Sequence, residues 1–300
     1  MKEIHPGRQP ADERGMRRIA LALGWPALAL LVVFAPGLMN LSEVWSSRDY
    51  YTHGYLVPLV SLWAAAGIVP RRRDLAIEPD PRGLLGIAVA GLLYAAGLGV
   101  GWVPLQGLGL VGAVAALVWL RCGAAWLSAL SFPLGYLAFM VPLPDAWITP
   151  VIVSLQLFVS EVGVGLLRIS GYAIYRDGNV LELPGGESLF VAEACSGITS
   201  VITLLPIAIV LAYFTDRALR RRVLLVLSVI PVALAGNLVR VLATVLAAER
   251  WGTDVATTGS LHESVGVVTY VVGCAVLLGI GTMLRRWIPD GGLSRPLAPR

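Results

Sequence analysis

Charged side chains are scarce in this sequence. Asp, Glu, Lys and Arg make up 14% of its 300 residues, against 57% hydrophobic residues and a mean hydropathy of +0.76. A soluble domain cannot hide that much apolar surface, so a water-soluble fold is excluded and an integral membrane protein is expected. Cysteine and histidine are scarce too, with three of each. Cys122, Cys195 and Cys274 form no CxxC pair and no Cys/His cluster, which argues against a disulfide framework and a zinc site. No metal and no organic cofactor is expected. Long polar stretches are missing, so any aqueous domain must be small, and no internal repeat is visible. The net charge of +4 does not point to nucleic acid, because the arginines stand in blocks between apolar runs.

Eight apolar runs read as spanning helices: 19–39, 55–70, 83–100, 103–120, 123–141, 196–214, 223–248 and 264–284. The polar, basic segment 1–18 precedes the first, which lacks a small-x-small cleavage site and reads as an uncleaved anchor. The basic blocks set orientation. Arg14, Arg17 and Arg18 put the N-terminus inside, Arg71 to Arg73, Arg121 and Arg217 to Arg222 mark inner loops, and Arg285 and Arg286 return the C-terminus inside. Two inner termini need an even number of crossings. A ninth apolar run, 147–170, is therefore expected not to cross. Its Ser154, Glu161 and Arg168 form a polar stripe, and it is expected to lie at or near the outer surface, or to dip in without crossing. After it, Asp177-Gly178 and Gly185-Gly186 punctuate short β-prone runs, which predicts a small outer hairpin or meander. The expected organisation is an all-α polytopic membrane protein of about eight spans. A single transmembrane domain covers 19–286, an extracytoplasmic or interfacial insertion covers 147–195, and a cytoplasmic tail, 287–300, is disordered.

Three polar residues are expected at one depth on the outer side. Cys195 stands at the predicted start of the 196–214 helix, flanked by Glu193, Ser196 and Gly197. A helix N-terminus favours a thiolate, the nucleophilic form. The competing reading, a small hydrophobe buried for packing, suits Cys274 and Cys122 better. Arg240 lies in "GNLVRVLATVL" with no acid beside it, and an intramembrane arginine is a functional hypothesis by default. From Val223 to Arg240 is about 26 Å at the helical rise, close to the outer boundary. Snorkelling would explain Arg240 alone, but not Asn237, one turn earlier on the same face. His262 follows Ser260 in a capping-box pattern with Glu263, so the last helix is expected to start there. A neutral imidazole in a first helical turn can accept a proton, although a lone interfacial histidine often has no role. His53, in "DYYTHGYLVP", is also outer and is the rival base. A thiolate, an imidazole and a cation are the groups that acyl transfer through a thioester requires.

The blocks "EACSGITS", "GNLVRV" and "LHESVG" resemble the three signature blocks of the exosortase/archaeosortase family, with "YYTHGYLVPLVSLW" and "FMVPLPD" resembling two more. The likeness runs from about residue 45 to 285 and leans towards the bacterial exosortases. It implies a multi-pass cysteine transpeptidase of the cell inner membrane, working on its outer, periplasmic face. The implied substrates are membrane-anchored proteins with a C-terminal sorting signal: a Pro-Glu-Pro motif, an apolar helix and an arginine-rich tail. It carries over Cys195 as nucleophile, Arg240 as stabiliser and His262 as acid/base, with His53, Asn237, Glu193 and Ser196 as supporting candidates. Many bacterial members are associated with exopolysaccharide production. The acceptor would be an envelope glycan or lipid, and water in its place would make the chain a protease. Activities that longer members carry on an added soluble domain are not expected.

Two other classes compete. A transporter or flippase of envelope precursors would use Arg240 and His262 in its substrate path and would need no cysteine. A quinone-linked thiol oxidase would need paired outer cysteines, and only Cys195 is expected there.

Overall fold

The computed structural model describes residues 23–72, 74–183, 186–190, 197–257 and 260–288. The segment 1–18 and the tail from 289 onwards lie outside the described residues. Within these bounds the chain is helical apart from one small sheet, as expected of an all-α polytopic membrane protein. Seven helical stretches among the described residues are long and apolar enough to cross a membrane, and a bent pair provides an eighth. The chain divides into two compact units between Pro144 and Asp145.

The first unit opens with α1 (Leu23–Val33) and α2 (Ala35–Ser47), which meet at 69°. Pro36, in the first turn of α2, has no N–H to continue the ladder from α1, so the helix restarts there. A 3-10 stretch (Asp49–Tyr55) leads into α3 (Leu56–Ile68). The helices α4 (Arg82–Gly99) and α5 (Val103–Cys122) form a close hairpin. Its backbones approach so tightly that a Cβ on Gly83 would stand 2.5 Å from the Leu120 backbone and one on Gly109 would stand 2.8 Å from Tyr94. Gln106 sits at the hairpin's turn end. Its amide donates to the Gly97 carbonyl (3.1 Å) and its Oε1 accepts from Asn40 Nδ2 (2.8 Å).

The run 123–141, expected as one spanning helix, is broken. It forms α6 (Ala124–Ala129), α7 (Ser131–Tyr136) and a 3-10 turn (Leu137–Met140). Pro133 cannot donate to the Ala129 carbonyl and its ring crowds that group, so the helix stops at Ala129 and starts again. The broken run still travels back along α3. Trp126 and Leu130 pack with Ile68 and Val69, Ser61 Oγ donates to the Pro133 carbonyl (2.8 Å), and His53 Nε2 lies 3.2 Å from the Phe139 carbonyl.

The second unit opens with the run 147–170, expected at or near the outer surface or dipping in without crossing. It is one uninterrupted helix, α8 (Asp145–Ile169), with the length and composition of a span. Its 25 residues extend about 37 Å at the helical rise. The polar stripe has a different explanation. Arg168 Nε donates to the Ile174 carbonyl and Arg176 stands 3.9 Å from Glu161, so both hold the chain that leaves the helix. That chain forms an antiparallel meander, β1 (Tyr175–Asp177), β2 (Val180–Glu182) and β3 (Ser188–Phe190), in the order β1-β2-β3. Tyr175 pairs with Glu182 and Leu181 with Leu189. The turn at Asp177-Gly178 is the expected one.

Leu181, Leu183 and Leu189 of the meander are buried against Val159 and Leu167 of α8 and against Val245 and Ala248 of α11 (Val229–Trp251). The short α12 (Thr253–Thr257) joins this core through Ala256, and its Thr253 N–H donates to Glu187 (3.2 Å). A second core, around Leu204, Ala208, Leu225, Val229 and Leu277, gathers α9 (Ile198–Thr215), α10 (Leu219–Leu227), α11 and α13 (Ser260–Trp287). Between α9 and α10 the buried Arg221 donates through Nε to both oxygens of Asp216 (2.8 Å each) and through Nη1 to the Ile288 carbonyl (2.8 Å).

Candidate active site

Cys195, Glu193 and Ser196 lie outside the described residues. The first described residue after them is Gly197, the N-cap of α9, with φ +86°. This left-handed conformation suits glycine because it has no Cβ. The helix therefore begins at Ile198, three residues after position 195 rather than at it, and its first internal bond runs from the Val201 N–H to the Gly197 carbonyl (3.0 Å).

Gly197 rests on Asn237. A Cβ at Gly197 would stand 3.4 Å from Cβ, Cγ and Nδ2 of that asparagine, whose side chain is 1% exposed. One turn further along α11, the Arg240 guanidinium lies against α13. A Cβ at Gly266 would stand 3.5 Å from its Cζ and Nη2. The guanidinium therefore packs on the Gly266 face of α13. Position 262 is one turn before Gly266, so it shares that face of α13. The side chain of His262 lies outside the described residues. The start of α9, the middle of α11 and the first turns of α13 thus meet around Asn237 and Arg240. All three stretches belong to blocks that the sequence singled out.

His53 belongs to the first unit. Its Nε2 faces a carbonyl, which can only accept, so the proton of a neutral ring sits on Nε2 and leaves Nδ1 as the basic nitrogen. Cys122 is buried in the core with Trp126 and Leu130, and Cys274 packs against the core around Leu277. Both are packing residues. Among the described residues no group of His, Cys, Asp and Glu could hold a metal ion.

The sequence reading missed α8 as a wall of this junction. Gly163 of α8 faces Leu238 and Val241 of α11, 3.8 Å from where its Cβ would be. On the same face, Gln156 and Ser160 are buried. The signal was available, since Gln156, Ser160, Gly163, Val164 and Leu167 recur at helical spacing. The exposed stripe Ser154, Glu161 and Arg168 drew attention to the opposite face.

A family model described as transmembrane exosortase matches residues 45–279. No curated protein and no solved structure matches the chain.

Proposed function

The chain belongs to the transmembrane exosortase family, and on that premise we propose that it is a cysteine transpeptidase with Cys195, Arg240 and His262 as its catalytic residues. One observation supports the reading most. Gly197, two residues after Cys195, packs on Asn237, and Arg240 packs on Gly266, four residues after His262. The start of α9, the cation and the imidazole-bearing helix then share one junction.

The Cys195 thiol gives its proton to His262, and the thiolate attacks a peptide carbonyl of a membrane-anchored substrate, next to a Pro-Glu-Pro sorting motif at the outer face of the inner membrane. Charge develops on the carbonyl oxygen, and the Arg240 guanidinium stabilises it in surroundings where electrostatic interactions are strong. The tetrahedral intermediate collapses, the C–N bond breaks and His262 gives a proton to the leaving amine. The substrate remains as a thioester on Cys195, and its apolar helix with the arginine tail departs. An amine or hydroxyl of an envelope glycan or lipid then attacks the thioester, His262 takes the proton and the thiolate is released. Glu193, Ser196 and His53 are supporting candidates in this scheme, and Asn237 holds the turn at Gly197.

The test is a processing assay. The chain is expressed with a reporter ending in Pro-Glu-Pro, an apolar helix and an arginine tail, and the reporter mass is measured. Wild type removes the tail and Cys195→Ala leaves it intact. Processing that survives Cys195→Ala overturns the reading and returns the transporter class to first place.

A further inference from the structure

Helices in the second unit close their hydroxyls onto the carbonyl one turn back. Ser154 donates to Pro150, Ser170 to Leu166, Thr203 to Thr199, Thr244 to Arg240 and Thr269 to Val265. Such bonds satisfy a hydroxyl inside an apolar bundle at little cost to the helix. Ser160 breaks the pattern. It is 0% exposed, and its Oγ has no partner, not even the Gln156 carbonyl one turn back. Thr199, in the first turn of α9, also has a buried Oγ1 without a partner. A buried polar atom left open is a cost that a folded chain avoids unless something else fills the bond.

Ser160 belongs to this junction, and Thr199 stands in the first turn of the helix that starts there. Ser160 is one turn before Gly163, so it shares the face of α8 that meets Leu238 and Val241 of α11. The helices α8 and α11 both end beneath the meander, and so run in the same direction. Ser160 therefore looks towards α11 about one turn below Gly163, at the level of Asn237. Asn237 touches Gly197, and Thr199 is two residues beyond it. The helix α8 also packs directly on α9.

We propose that Ser160 and Thr199 form a hydrogen-bonding subsite for the backbone of the substrate peptide, beside the scissile bond. This rests on the transpeptidase reading and extends it to the residues that hold the substrate. The chemistry favours a peptide. Two neutral hydroxyls can each donate to a carbonyl or accept from an N–H, and neither offers the charge that a phosphate or carboxylate would demand. The neighbouring Val159, Val164 and Val241 exclude water, so a substrate backbone entering here must find its partners in the protein.

The experiment uses the full-length chain in lipid nanodiscs, carrying Cys195→Ala to prevent turnover. The probe is a fluorescent form of the reporter peptide described above, and affinity is measured by anisotropy. Ser160→Ala and Thr199→Val together weaken binding roughly tenfold or more. The thermal midpoint of the ligand-free chain stays the same or rises, because no bond of the free protein is lost. Thr199→Ser keeps a hydroxyl and retains binding. Unchanged affinity in the double variant overturns the subsite. A loss of affinity that follows a loss of thermal stability, unrescued by Thr199→Ser, also overturns it, as does a parent chain that does not bind the peptide. The transpeptidase reading fails by a different result, processing that survives Cys195→Ala in the otherwise wild-type chain.

Discussion

Each unit buries a polar side chain in a spanning helix, and the two are treated in opposite ways. In the first unit Gln106 is 1% exposed and bonded at both ends of its amide, to Asn40 and to Gly97. It ties α2 to the α4–α5 hairpin and leaves nothing for a ligand. In the second unit Ser160 is as deeply buried and its hydroxyl is open. A closed polar group in a bundle works as glue, whereas an open one leaves a hydrogen bond to be filled.

Four substitutions sharpen or break this contrast. The largest effect is expected from Arg240→Gln, which removes the cation at the junction. Initial rates of reporter processing should fall by about 10²–10³-fold with little change in stability. A rate within threefold of wild type would remove Arg240 from the chemistry. Next is Gln106→Leu, which leaves Asn40 Nδ2 without its partner and the Gly97 carbonyl with the Trp102 N–H alone. It should cost about 1–3 kcal/mol of stability in thermal unfolding, while processing per folded molecule is retained. A selective loss of processing would show that the closed group also serves the site. Gly197→Ala forces a side chain into a left-handed conformation, at about 1–2 kcal/mol. It also sets a methyl against Asn237, and on the order of tenfold slower processing is expected from the displaced turn. The smallest effect concerns Ser160→Ala alone, whose unfolding midpoint should match wild type within about 0.5 kcal/mol. A clear destabilisation would mean that the hydroxyl is closed after all.

The same contrast explains what could be read from the sequence. Apolar runs identified most of the spans, because partition into a bilayer depends on composition, which the sequence states directly. The meander was legible from Asp177-Gly178, a local turn signal. The break in 123–141 was not, although Pro133 is in plain view. Hydropathy measures solubility in lipid and carries no information on whether the backbone ladder is continuous. The polar stripe of α8 also read differently in the structure. Its exposed charges hold the following loop through Ile174 and Arg176, a contact that the sequence does not state. At the candidate site the sequence singled out the blocks that pack around Asn237 and Arg240, because an arginine in an apolar run is conspicuous. It did not reveal Ser160. A serine among valines is unremarkable until the structure shows that its hydroxyl has no carbonyl to meet.

The clamp around Arg221 bears on the order in which this chain is assembled. Its bonds to Asp216 span five residues and can form as soon as the α9–α10 loop is made. Its bond to the Ile288 carbonyl spans 67 residues and must wait until α13 has been synthesised and inserted. The arginine that helps fix the orientation of one loop thus also records the arrival of the last helix. A chain truncated within α13 would keep the ion pair but lose the latch, leaving α9 and α10 without that tie to the end of the bundle.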